Sequence, residues 1–163
     1  MQINVNHICK SFGKNHVVND ISMKVESGEI VCLLGPSGAG KTTLIRLITG
    51  ALHADSGEII IDGVKMPRLS LMKKIGFMPQ NDALYNDLTA WDNLLFFGGL
   101  YGMRGSLLKS RINEVLALMD LSADKDKMVF DYSGGMKKRL SLAVALLHSP
   151  GFLLLDEPTV GID

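Results

Sequence analysis

The sequence predicts an α/β domain, and three observations carry that prediction. An apolar run at residues 30–34 (IVCLL) leads through a glycine-rich turn into a helix from Lys41. A second apolar run, Phe152-Leu153-Leu154-Leu155, ends in Asp156-Glu157, and beyond Gln80 the apolar residues between these runs recur at helical spacing. Runs that are apolar at every position, not at alternate ones, are expected of central parallel strands buried on both faces. With 163 residues, 47% of them apolar and 21% charged, the chain has the size and composition of one domain with a real core.

In chain order, short β-type runs occupy residues 3–8, 17–25 with a break, 30–34 and 58–61, punctuated by Ser27-Gly28 and Ser56-Gly57. Leu108, Ile112, Val115, Leu116 and Met119 then draw one helical stripe, so the middle of the chain is predicted to be mostly helical. After Ser133-Gly134-Gly135 a further helix is expected through Leu147, stopped by Ser149-Pro150-Gly151. Cys9 and Cys32 are expected to be reduced and structural, Cys32 packing within its apolar run as a small hydrophobe. There is no repeat, low-complexity segment or charged tail.

Seventeen basic residues balance seventeen acidic ones, so no overall field draws the chain to nucleic acid or an anionic membrane. The N-terminus MQINVNHICK lacks the pattern of a secretion signal, and no window reaches the ~18 uninterrupted apolar residues of a membrane span. A cytoplasmic chain is the expectation.

The turn after the first apolar run reads Gly35-Pro36-Ser37-Gly38-Ala39-Gly40-Lys41-Thr42, which matches the spacing GxxxxGK[ST]. Glycines let successive backbone N–H groups point into one concavity, and the helix N-terminus beyond adds partial positive charge where phosphate oxygens would sit. Lys41 would reach the outer phosphates, and Thr42 would set its hydroxyl on a Mg²⁺ between the β- and γ-phosphates. Thr43 follows in the same first helical turn and joins the candidate nucleotide contacts. The bland reading, a glycine turn with a surface lysine, does not account for strand, loop and helix each standing where the motif needs them.

A phosphate cradle specifies a nucleotide and leaves the chemistry open. Adjacent carboxylates at the end of an apolar run narrow it, because successive side chains leave a strand end in different directions. Asp156 would hold the Mg²⁺ shell, and Glu157 would accept a hydrogen bond from an attacking water and orient it.

With Tyr132-Ser133-Gly134-Gly135-Met136 upstream of that strand, the chain resembles the ATP-binding domain of an ABC transporter from about Ile3 to Asp163. The resemblance implies a P-loop NTPase, RecA-like core with an N-terminal antiparallel β subdomain and an inserted α-helical subdomain. The single domain would divide at about 1–80, 81–148 and 149–163. It also implies that Ser133, Gly134 and Gly135 bind the γ-phosphate of ATP held by an opposing subunit. By the same resemblance Phe12 in KSFGK stacks on adenine, Gln80 in FMPQ touches Mg²⁺ and senses a membrane partner, and Gly161-Ile162-Asp163 crosses a dimer interface. Taken alone, Phe12 reads as a core residue and Gln80 as a polar loop residue. Their order within the whole pattern favours the family roles.

Glu157, Gln80 and Lys41 thus form the expected catalytic set, with ATP and Mg²⁺ as cofactors. The implied partners are a second ATP-binding subunit, head to tail, and a separate transmembrane permease that holds the pair on the inner face of the membrane; no nucleic acid is expected. Met136 stands where the commonest family pattern has glutamine, and with the following KKRLSLA it resembles the branch that serves ABC-2-type exporters. Leu84, Tyr85 and Leu88 are expected either to pack on their own helices or to line the groove that receives a short permease helix. Two rival functions stand beside the transporter: a soluble ATPase of this family acting on ribosomes or nucleic acid, and an ATP-binding module without turnover. The resemblance further implies a strand and a histidine after the last loop, and none of His7, His16, His53 and His148 lies there, so a truncated, weakly active domain is expected.

Overall fold

The computed structural model describes residues 1–81 and 83–157, in two compact units, Met1–Ile75 and Gly76–Asp163. In the first unit β1 (Ile3–Phe12), β2 (Asn15–Val25), β3 (Ser56–Ile61) and β4 (Val64–Lys65) form one antiparallel sheet in the order β2-β1-β3-β4. The register sets Ile3 opposite Val25 on one side and Ile61 on the other. One face of β1 buries Ile3 and Val5 with Ile59 and Ile61 of β3, the alternation expected of a sheet wet on one side, and an irregularity between Val5 and Ile8 breaks the period so that Ile8 is buried as well. Helix α1 (Lys41–Thr49) buries Leu44, Ile45, Leu47 and Ile48, and Gly50 ends it in the left-handed conformation, its N–H donating to Leu47 O. The short helix α2 (Leu69–Met72) follows, with Leu71 buried.

The second unit, which holds all of β5 (Ile75–Met78) but its first residue, pairs that strand with β6 (Phe152–Leu155) and carries α3 (Ala90–Leu100), α4 (Gly105–Leu118) and α5 (Gly134–Leu146). The predicted stripe becomes the core: Leu108, Ile112, Val115 and Leu116 of α4 are buried with Ala90, Leu94, Leu140, Ala143 and Leu147, and Met119 packs at the edge. Gly98 lets α3 lie close, since a Cβ there would meet Leu108 Cδ1 at 2.3 Å. Arg111 on α4 closes the end of α5, donating to Leu147 O at 3.0 Å and to Leu146 O at 2.8 Å, the latter also accepting from Ser149 N at 3.0 Å.

Two predictions fail at residues 30–34. The run is not a strand; Ile30 is 99% and Leu34 88% exposed. Cys32 is exposed as well, so its thiol does not pack as a small hydrophobe, although Cys9 and Cys32 are both free as expected. The physical reason is that a strand needs a neighbouring backbone to take its N–H and C=O groups. No described strand pairs with this run. The run at 152–155 does form a strand, but only Leu154 is buried and its three neighbours are half-buried.

Candidate functional site

The glycine-rich turn is built around positions a side chain could not occupy. Gly38 and Gly40 have φ of 81° and 85°, and a Cβ on Gly40 would stand 2.5 Å from Val17 O. Gly40 caps the N-terminus of α1, Leu44 N donates to its carbonyl at 2.9 Å, and Ala39 N donates to Pro36 O at 3.2 Å. Residues 35–39, with Ser37 among them, are exposed, and Lys41, Thr42 and Thr43 are half-buried in the first turn of α1. Lys41 Nζ donates to Gly35 O at 2.7 Å and Pro36 O at 2.8 Å, so its ammonium lies across the loop that would hold phosphates. No acid stands in that first helical turn to oppose an anion.

Phe12, also in the first unit, is 50% exposed at the end of β1 and is not a core residue. Lys10 Nζ stands 5.7 Å from its ring centroid and is fixed there by a 2.6 Å ion pair with Asp55. The hydrogen bond from Lys10, with a second from Ser11 N, holds the Asp55 carboxyl below the usual carboxylate range.

In the second unit Asp156 follows β6 with only 3% of its surface exposed, and its N–H donates to Met78 O at 3.0 Å beside the end of β5. Glu157 adopts φ 52°, a left-handed conformation that non-glycine residues seldom take, and its Oε2 accepts from Gln80 Nε2 at 2.6 Å. The two acids therefore do differ in direction and environment, one buried and one turned toward Gln80. Among the described residues no cluster of three or more His, Cys, Asp or Glu could hold a metal by itself. The oxygen donors picked out in the sequence, a hydroxyl at Thr42, an amide at Gln80 and a carboxylate at Asp156, have the hard-ligand chemistry that suits Mg²⁺.

Ser133 is the N-cap of α5, with Oγ accepting from Met136 N at 3.2 Å. Nothing lies within 4 Å of a Cβ built on Gly135, and no acid stands in the first turn of α5. Tyr132 anchors the turn before the cap: it is buried, its hydroxyl donates to Asp124 O at 2.8 Å, and burial, chiefly, pushes its phenol up to about 12. Gly161, Ile162 and Asp163 lie outside the described residues.

The loop from Ala83 to Thr89 packs on its own helices to differing extents. Leu84 packs against the helical core and Leu88 is half-buried, whereas Tyr85 is 49% exposed and meets Phe96 edge-on at 4.9 Å. Asn93, fully buried on α3, went unnoticed in the sequence. Its Oδ1 accepts from Tyr85 N at 2.9 Å, and its Nδ2 donates to Tyr85 O at 3.0 Å and Thr89 O at 2.9 Å. A polar residue between the inward-facing Ala90 and Leu94 was the available signal. Asn93→Ala strands the Tyr85 backbone groups and is expected to cost about 2 kcal/mol of stability, read by chemical denaturation.

With this geometry in view, the comparisons with known proteins converge. The family model described as ABC transporter matches residues 18–160. The linearmycin resistance ATP-binding protein LnrL of Bacillus subtilis is 43% identical over 96% of this chain and 51% of its own length. The sulfate/thiosulfate import ATP-binding protein CysA of Escherichia coli is 40% identical over 100% of this chain and 46% of its own. A solved structure of an ATP-binding subunit of an ABC transporter superposes with a TM-score of 0.87 at 27% identity, covering 100% of this chain and 69% of that one. The chain thus spans about half the length of these curated relatives. No described helix is long and apolar enough to cross a membrane. By the extent of the family match, the chain belongs to the ABC transporter family.

Proposed function

We propose that this chain supplies the ATP-binding and ATP-hydrolysing part of an ABC transporter, working with a second copy or a paralogue and with a transmembrane permease. The observation that carries the reading furthest is the pair of unlike carboxylates after β6, with Glu157 in hydrogen bond to Gln80 at 2.6 Å. ATP fits the first unit on a structural ground: Gly38 and Gly40 give the exposed turn the left-handed backbone that its curvature needs, Gly40 packing against Val17, and its N–H groups and the start of α1 offer positive ends to an anion. Phe12 would offer its exposed ring to the base.

For phosphates in the turn, Lys41 would exchange its bonds to Gly35 O and Pro36 O for phosphate oxygens. Thr42, Gln80 and Asp156 would hold Mg²⁺, which when bound neutralises charge on the β- and γ-phosphates. Glu157 would accept a hydrogen bond from water and aim its oxygen at the γ-phosphorus, in line with the departing ADP. Ser133 and the N–H groups of Gly134 and Gly135 would close on the γ-phosphate held by the opposing subunit. Loss of that phosphate removes contacts made only in the closed dimer, and this difference in affinity biases the permease between its states. Tyr85 and Phe96 would give the permease an aromatic anchor. The sequence SGGMKKR favours an exporter; an import protein is nearly as similar overall as LnrL, so overall similarity does not decide direction.

The test is Ser133→Arg in the intact ATPase. Because Ser133 acts on the partner's nucleotide, the variant is expected to lose ATP hydrolysis by ~10-fold or more, with monomer ATP affinity changed less than about twofold. A variant that hydrolyses ATP at the wild-type rate would refute the assignment in trans.

A further inference from the structure

A hydrogen-bonded path inside the second unit joins α5 to the carboxylate after β6. Lys138 Nζ donates to the backbone carbonyl of Gln80 at 2.5 Å, and the side chain of the same Gln80 donates through Nε2 to Glu157 Oε2 at 2.6 Å. One residue earlier on the helix, Lys137 Nζ donates to Asn86 Oδ1 at 3.2 Å, so two adjacent lysines of α5 tie down both ends of the segment that follows β5. Lys138 stands five residues beyond the cap Ser133, about one and a half helical turns.

We propose that Lys138 is a positioning residue for ATP hydrolysis: its ammonium fixes the Gln80 backbone so that the Gln80 amide holds Glu157. The position of α5, and hence of Ser133 at its start, is thereby felt at the carboxylate that orients water. The inference rests on the role given to Glu157 above.

The physical case has three parts. A bond from an ammonium to a carbonyl is charge-assisted and stronger than a neutral one, and Lys138 has three donors on a long stem with which to make it while serving other acceptors. Glu157 at φ 52° is in a region that an L-residue occupies only when its surroundings hold it, so a side-chain tether matters more there than on a regular strand. Gln80 is a loop residue, and its backbone is otherwise free of the ladder that fixes β5 up to Met78. Remove the ammonium and the Gln80 carbonyl loses this partner, the amide drifts, and Glu157 spends less time in the orientation that water activation needs. Lys41 and the backbone of the glycine-rich turn, which would hold the phosphates, make none of these bonds, and Thr42 and Asp156 would remain for Mg²⁺, so affinity is expected to change far less than turnover.

The experiment measures steady-state ATPase, nucleotide affinity and thermal midpoint for the intact protein carrying Lys138→Met, Lys138→Arg, Gln80→Ala or the pair Gln80→Ala/Lys138→Met. Lys138→Met is expected to lower kcat ~10-fold with KM and ATP affinity within about twofold and the thermal midpoint unchanged. Lys138→Arg, which keeps a cationic donor, is expected to recover kcat to within about threefold of wild type. In the Gln80→Ala background Lys138→Met is expected to add little, since both act along one path. The inference is overturned by wild-type kcat in Lys138→Met, by a lower thermal midpoint without rescue by arginine, or by a full further ~10-fold loss in the double variant. Glu157→Gln at wild-type turnover would instead overturn the reading beneath it, and this inference with it.

Discussion

Glu157→Gln is expected to cut ATP hydrolysis by at least ~100-fold while leaving ATP affinity within about twofold of wild type. The substitution keeps the shape of the side chain and the reach to Gln80, so the contact at 2.6 Å has a counterpart in the variant's amide oxygen. What it removes is the negative charge and with it most of the capacity to accept. A carboxylate presents about four lone-pair sites; Gln80 uses one on Oε2 and leaves Oε1 to take a hydrogen from water. An amide offers one oxygen, already engaged by Gln80, and an NH₂ group that donates where acceptance is required. Binding should survive because Lys41 and the backbone of the glycine-rich turn, which would hold the phosphates, are untouched. With turnover blocked and binding retained, the ATP-bound dimer should accumulate. Sedimentation in saturating Mg-ATP that shows only monomer, together with wild-type turnover, would refute both the role proposed for Glu157 and the proposed head-to-tail dimer.

The parts of this site that sequence reveals are those where residue type and spacing are themselves the requirement. Gly40 is legible because the left-handed conformation and the approach of Val17 O exclude any Cβ. Ser133 is legible because an N-cap needs a short side-chain acceptor, and α4 because Leu108, Ile112, Val115 and Leu116 repeat on one face. Residues 30–34 show the opposite case. Unbroken apolarity says that a segment gains by burial, but a strand exists only with a neighbour, and the sequence names no neighbour. The tethers were hidden for a related reason. Asn93 to Tyr85 is local but runs against the expectation that an inward helix position is apolar. Lys138 to Gln80 spans 58 residues between a helix and a loop, and a lysine in KKR looks like any solvated charge. Such contacts depend on tertiary placement, which neither period nor motif encodes.

Lys41→Ala is expected to abolish tight ATP binding, lowering affinity by ~100-fold or more, without unfolding the first unit. Its ammonium is the cation that the glycine-rich turn itself supplies, and the turn's remaining contribution to a triphosphate is backbone N–H groups and the partial charge at the start of α1. In the present structure that ammonium bonds to Gly35 O and Pro36 O, two carbonyls on an exposed loop. Loss of these bonds leaves acceptors that water can satisfy, so the cost to stability is expected to be about 1 kcal/mol or less. The fold of α1 should persist as well, because Leu44, Ile45, Leu47 and Ile48 supply its buried face and alanine favours a helix. Titration of a fluorescent ATP analogue, with and without Mg²⁺, reads the affinity, and the thermal midpoint reads the fold. Unchanged affinity in Lys41→Ala would remove this turn from the nucleotide site, and lost affinity with an equally lost thermal midpoint would make Lys41 a structural brace instead of a phosphate ligand.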